Sequence, residues 1–349
     1  MRSLTARDEA IVAAARASCV LFGRDDLVAL TASGRDTIKF LHAMLTQDVK
    51  GLLPSGAASA CLCDAQGAII AVMHLVASEA RAVLWTDRVR AEALMEGLDR
   101  FIIADDVNLE LDDTIALCEL VGPSAAEMVR VAAGAEAQAE PSHITVAGRS
   151  ALAWRADLDG VASPWWPSTP RVWLQVARDD LGDVAGALFA AGAQPGSHAA
   201  REAIRVFVGE PRLGLDVDDG SLPLEVGLTG TVSFRKGCYL GQEAIAMMKY
   251  RGQPRRYLSW VAGEAVGELA PAPGWQLRTA EGKRAGRLGT CVKASDGSWR
   301  GLAVVPRKAL NLGATLTVAP EADGGVAALT LVASTAPAAP AEEAKGATP

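Results

Sequence analysis

The sequence lacks most of the short patterns that mark a cofactor or a catalytic centre. No two of its 34 glycines are two residues apart, so a dinucleotide-binding G-x-G-x-x-G is absent, and no G-K-[ST] exists for a phosphate loop. Its four histidines, His42, His74, His143 and His198, never fall three or four residues apart. That excludes a helical H-E-x-x-H zinc site. There is no G-x-S-x-G nucleophile elbow. Six cysteines in 349 residues are far below the density of a disulfide scaffold and point to a reduced, cytoplasmic protein. A targeting segment and a membrane span are equally missing. The first helix candidate, residues 7–21, carries Asp8, Glu9 and Arg16, and the uncharged stretch 324–341 contains Pro337 and Pro340.

What is present is a balance of 50% hydrophobic and 21% charged residues, that of a soluble globular chain with a large core and two or three domains. The net charge is −7, so bulk charge does not recruit nucleic acid, although a local basic patch still could. One unit occurs twice. Asp25-Asp26 leads through an apolar run to Gly34 and a helix pattern of Ile38, Leu41 and Leu45. Asp112-Asp113 leads through another run to Gly122 and a helix pattern of Ala126 and Val129, 88 residues on. Strand patterns at 68–76, 81–85, 101–111 and 171–176 alternate irregularly with helices at 91–98 and 181–189, with Thr86 as a cap for the first. From 258 to 318 only short strands separated by Gly and Pro follow, a small β domain. The expected class is α+β, not a doubly wound sheet. From about Ser334 an Ala/Pro/Glu tail lacks the apolar content to fold.

The informative segment is 231–249. It reads as a strand at 231–234, a turn from Gly237 to Gly241, and a helix from Gln242. Cys238 precedes the helix start beside Arg235 and Lys236, an environment that favours thiolate. Tyr239 adds a flat ring, Gln242 and Glu243 fall in the first helical turn, and Lys249, Arg251, Arg255 and Arg256 form a basic strip. A small anionic ligand with an aromatic part would explain them together, and a structural thiol in a tight turn would explain Cys238 alone. Elsewhere the bland readings prevail. Cys61 and Cys63 share one face of a strand, as core packing would have them, so no metal site is expected. Trp165 and Trp166 suit a domain junction, and Asp216, Asp218 and Asp219 suit a solvated turn.

Residues 236–243, Lys-Gly-Cys-Tyr-Leu-Gly-Gln-Glu, resemble the K-G-C-Y-x-G-Q-E signature of the YgfZ family, folate-binding relatives of the glycine-cleavage T-protein. Residues 34–49 are similar to the family's G-x-D-A-x-x-F-L-x-x-x-x-T-x-D-V, which ends here on Asp48 and Val49. Residues 120–125 are similar to its second strand–G-P–helix unit, 222–228 to its P-x-E-x-G-L with Glu225, and 286–290 to its β-domain turn. The resemblance implies a three-domain cloverleaf with a central channel for tetrahydrofolate or a one-carbon derivative. In this chain the units would be 1–50 plus 112–250, the inserted 51–111, a β-barrel at 255–333 and a disordered tail at 334–349. It also implies a role in maintaining iron–sulfur enzymes, including tRNA-modifying ones, with iron–sulfur assembly or client proteins as partners. On this reading Cys238 is the functional thiol, and Lys236, Tyr239, Gln242, Glu243, Asp48, Glu225 and Arg251 hold the ligand.

Two departures separate the chain from a true aminomethyltransferase. Ile70 and Ala71 stand where the T-protein has an acidic pair, and Phe207 stands where it has Glu. Within the family's own pattern, the basic residue that often follows E-x-x-A is Met247 here. Two alternatives stay open: a folate-dependent one-carbon transferase using Glu225 or Glu243, and a thiol or persulfide carrier that needs no folate.

Overall fold

Two sheets pack face to face and a closed barrel completes the chain in the computed structural model, which describes residues 2–79, 81–157, 163–264, 271–319 and 327–336. Seven α-helices lie among the described residues. These are α1 (Ala6–Ala17), α2 (Thr37–Met44), α3 (Ala91–Asp99), α4 (Ala125–Ala133), α5 (Leu181–Ala190), α6 (His198–Val208) and α7 (Gln242–Arg251).

The six-stranded sheet runs Gln194–Pro195, Val20–Gly23, Ile115–Val121, Pro170–Ala177, Arg149–Asp157, Ser142–Val146. It is antiparallel except for its first, parallel pair. The five-stranded sheet runs Ser55–Cys63, Ile69–Ser78, Arg81–Asp87, Leu27–Ser33, Asn108–Asp112, all antiparallel. Side chains alternate across each strand, so each sheet offers two apolar faces. In Ile115–Val121, Ala116, Cys118 and Leu120 face α4 and α5, and Leu117 faces the other sheet. There Leu117, Trp154 and Trp173 meet Leu27, Ala29, Val83 and Trp85 in one buried layer. The outer face of the five-stranded sheet is covered by Ile38 and Leu41 of α2 and Leu94 and Leu98 of α3.

The barrel closes in the order Arg284–Lys293, Gln276–Arg278, Thr315–Ala319, Ala327–Ser334, Arg256–Glu264, Ser298–Pro306 and back to Arg284–Lys293. Closure leaves these six strands no free edge, and Arg2–Ser3 adds a short parallel pairing to the end of Arg284–Lys293. Trp166 is buried among α1, α6 and the barrel's Trp260 and Val304, with the Arg16 guanidinium 4.8 Å from its ring centroid. The tryptophan pair therefore serves a junction between units.

The 88-residue repeat has a steric cause. Gly34 and Gly122 both hold positive φ (122° and 138°). A Cβ at Gly34 would lie 2.2 Å from the Asp106 carbonyl oxygen, and one at Gly122 would lie 2.2 Å from that of Ser18. Only glycine satisfies both conditions.

Four local expectations are corrected. Residues 231–234 form no strand, because the backbone there is taken by the Thr46 loop: Thr46 Oγ1 donates to the Thr231 oxygen at 2.6 Å, and Ser233 N to the Thr46 oxygen at 2.9 Å. The strand expected from 101 begins at Asn108, since Asp106 is held at the start of α2 by reciprocal bonds with Asp36. Thr86 lies inside a strand, its hydroxyl donating to the Val72 oxygen, and the N-cap position of α3 falls to Arg90, which makes no side-chain capping bond. Beyond the last expected strand at 314–318, the barrel region gains the strand Ala327–Ser334, and the first residues of the expected tail are held to it, with Thr335 N bonding the Leu258 oxygen at 2.9 Å. The remainder of the expected tail, 337–349, lies outside the described residues. The sheets also group residues differently from the sequence division, since Leu27–Ser33 and α2 share a sheet and a core with 55–112.

Candidate functional site

The Lys-Gly-Cys-Tyr segment is built onto the end of α2. The Lys236 ammonium donates to the carbonyl oxygens of His42, Leu45 (2.7 Å) and Gln47 (3.1 Å), the groups a helix C-terminus leaves unpaired. It also lies 4.9 Å over the Tyr239 ring. Burial lowers its pKa to about 8, against the pull of Asp48. Tyr239 is buried against Cys61, Cys63, Val226 and Ile245, and burial raises its phenol to about 12. Gly241 caps α7 with φ 80°, and a Cβ there would lie 2.4 Å from the Asp64 oxygen. The signature's second glycine is thus required where two loops touch.

This packing leaves Cys238 exposed at the tip of the turn. The other five cysteines are buried. Burial pushes the thiols of Cys19, Cys61, Cys118 and Cys291 up to about 12 and that of Cys63 higher still. Cys61 Sγ shares a hydrogen bond with Thr231 Oγ1 at 3.2 Å, so this cysteine pair packs beneath Tyr239. Among the described residues no group of three or more metal-ligating side chains exists.

The remaining expected ligand residues are spread around this loop. Asp48 Oδ1 accepts from Gly51 N at 3.0 Å and faces His42 Nδ1 at 3.3 Å. Gln242 and Glu243 open α7, with Glu243 exposed. Glu225 is buried, bonded to Leu222 N and paired with Arg256 at 3.1 Å. With Arg251 it lines a groove of about 810 Å³ on the outer side of α7.

A larger chemical feature escaped the sequence reading. A cavity of about 410 Å³ opens where the two sheets meet the end of α6. Leu27, Met73, Trp85 and Leu228 give it apolar walls, and it is lined by five arginines (Arg24, Arg90, Arg171, Arg205, Arg212) against three carboxylates (Asp26, Asp87, Glu210). None of the expected site residues lines it. Gln47 does, and Lys236 fixes the Gln47 carbonyl from behind.

Behind the arginines lies a buried charge network. Glu119 is fully buried, and its carboxylate accepts from Arg24 (2.7 Å), Arg201 (3.0 Å) and Arg171 (3.5 Å). Glu210 pairs with Arg171 and Arg201, Asp26 with Arg24, and Asp87 with Arg212. Asp216, expected in a solvated turn, is buried. It accepts from Arg205, Arg212 N and Thr290 N, tying α6 to the barrel. Burial alone would raise Glu119, Glu210 and Asp26, but the surrounding arginines outweigh it and hold all three well below the carboxylate range. His74, its ring tilted against Trp173 with centroids 4.9 Å apart and sharing a hydrogen bond with Ser59, is driven down to about 3 by burial and by Arg171 and Arg24, so it is neutral. Arg171 Nε is buried and has no partner. The one sequence hint of this network is the density of Arg and Glu in α6, Arg201-Glu202 and Arg205, on a helix that is otherwise apolar.

Comparison with known proteins decides the family likeness. The chain is 28% identical over 289 residues to the tRNA-modifying protein YgfZ of Edwardsiella ictaluri, covering 82% of this chain and 84% of that one. To the protein of the same name from Escherichia coli it is 26% identical over 293 residues, covering 82% and 85%. The chain resembles the YgfZ proteins. That resemblance, first legible at 236–243, therefore extends over four fifths of the sequence. No family model matches the chain. Among solved structures, the glycine cleavage system aminomethyltransferase T from Bartonella henselae superposes with a TM-score of 0.74 at 18% identity, over 93% of this chain and 88% of that one. The YgfZ-like chain thus has the T-protein fold, with the α+β class and closed C-terminal barrel expected of it. Among the described residues no helix is long and apolar enough to cross a membrane.

Proposed function

We propose that this chain is a reduced-folate-binding protein that supports tRNA modification, through upkeep of iron–sulfur enzymes, with Cys238 as its working thiol. The observation that carries the reading is the central cavity. Its volume is that of a small-molecule site. Its walls combine apolar surface with five arginine side chains, each held by a carboxylate but still rich in N–H donors, which suits a planar heterocycle bearing carboxylates. The buried, unpartnered Arg171 Nε is a donor awaiting an acceptor. Trp85, Met73 and Leu27 would flank the ring system, and Arg171, Arg212 and Arg90 would face the anionic part. When bound, a reduced folate supplies a carrier for one-carbon units. The tRNA role rests on the name borne by the YgfZ relatives.

The chain's own residues favour binding over transfer. Proton transfer at a folate nitrogen calls for a carboxyl group poised to exchange a proton. Asp26, Asp87 and Glu210 in the cavity are each tied to arginine. Ile70 packs over α3, Ala71 is fully buried, and Phe207 lies in the α1–α6–barrel core. Cys238 reacts outward, because the five other thiols are buried and none is free to close a disulfide with it. The test is complementation of a strain lacking its YgfZ protein, read as modified nucleosides in bulk tRNA. Wild type restores them and Cys238→Ser does not, whereas full restoration by Cys238→Ser makes the thiol structural.

A further inference from the structure

The loop before α7, its last turn and the chain after it carry a surface that the central cavity does not use. Arg235, Lys249, Arg251 and Arg255 are exposed, and among the described residues none of the four forms an ion pair. Unpaired cations gathered on a chain of net charge −7 create a local field of the opposite sign. Aromatic rings are set among them. Tyr250 is 66% exposed and meets Phe234 edge-on at 6.3 Å. Lys249 Nζ lies 3.3 Å from the Phe234 ring centroid and 5.6 Å from that of Tyr250. Arg251 and Arg255 continue the patch along the outer groove, where Glu225 is already neutralised by Arg256.

We propose that this face docks RNA: a single-stranded or loop segment of tRNA lays its phosphates along Arg235, Lys249, Arg251 and Arg255 and stacks a base on Tyr250. Interleaved cations and exposed aromatic faces are how proteins hold unpaired nucleotides. An acidic protein surface would use the cations but leave no role for the exposed ring. The proposal deepens the tRNA-modification reading and rests on it, by making RNA a direct ligand of the segment that also exposes Cys238.

The test is fluorescence anisotropy with the full chain, an unmodified labelled tRNA transcript, and labelled heparin as a polyanion without bases. Loss of two phosphate contacts in Arg251→Ala/Arg255→Ala is expected to flatten the slope of log K against log salt by about 1.4–1.8. Tyr250→Ala is expected to weaken tRNA binding about tenfold, at the low end of base–aromatic stacking, and to leave heparin binding unchanged. Absent tRNA binding, an unchanged salt slope, or a Tyr250→Ala effect that is nil or equal on both probes overturns the proposal. Titration of the same samples with 5-formyltetrahydrofolate separates the two claims. Folate binding without tRNA binding removes RNA docking alone, and failure of both removes the functional reading as well.

Discussion

Replacing Glu119 by glutamine should unravel the charge network that joins the sheets. The Glu119 carboxylate is fully buried and accepts from three guanidiniums, two within 3.0 Å, contributed by Arg24, Arg201 and Arg171. The amide keeps the shape but removes the charge, leaving buried guanidiniums with one anion fewer. Breaking a buried ion pair from one side costs about 3–5 kcal/mol. An exposed pair such as Glu127–Arg130, about half exposed on α4 and screened by solvent, contributes little and serves as the control. Urea denaturation of Glu119→Gln and Glu127→Gln at pH 7 measures both. The sign with pH follows from the depressed carboxylates. Their folded pKa values lie below the unfolded ones, so the stabilisation is complete above about pH 4.5 and is lost as the pH falls below it. Wild type should therefore destabilise more steeply than Glu119→Gln below pH 4.5. A loss under about 1 kcal/mol for Glu119→Gln, with parallel acid limbs, would refute the argument.

Gly122→Ala must force a Cβ to within 2.2 Å of the Ser18 oxygen at φ 138°, and at least about 2 kcal/mol of stability should go. Gly220→Ala, at φ 86° with open space around it, should lose about 1 kcal/mol in the same denaturation assay. Native protein treated with a thiol-reactive dye should label one cysteine rapidly, and mass spectrometry should find the label on Cys238. Labelling of Cys61 or Cys63 in the folded state would contradict their burial. Purified chain supplied with aminomethylated carrier protein and tetrahydrofolate should form no methylenetetrahydrofolate above background. Turnover near that of a T-protein would restore the transferase reading.

The fold was legible where local chemistry repeats. The two strand–Gly–helix units stand out because each requires a glycine at a close backbone approach, and the signature stands out because Gly241 and Lys236 are both structurally committed. The strand Ala327–Ser334 does not stand out because it sits in an uncharged, Ala-rich stretch and one of its two partners, Arg256–Glu264, lies more than 60 residues back. The charge network was hidden for a similar reason. Arg24, Glu119, Arg171 and Arg201 are scattered over 177 residues, and only strand pairing together with the packing of α6 brings them together. Adjacency in sequence likewise suggested one site around Cys238. In space, that thiol sits on the outer turn and the cavity lies beyond Gln47.

The central claim is that the cavity between the sheets holds a reduced folate. Gly230 lines the cavity, a Cβ added there meets no atom within 4 Å, and its φ is not positive, so Gly230→Phe is expected to fold and to obstruct the site. Isothermal titration with 5-formyltetrahydrofolate is the direct measurement. Wild type and Cys238→Ser should bind one equivalent alike, and Gly230→Phe, with an unchanged melting temperature, should give no heat. Absence of binding by folded wild type, or undiminished binding by Gly230→Phe, would contradict the account.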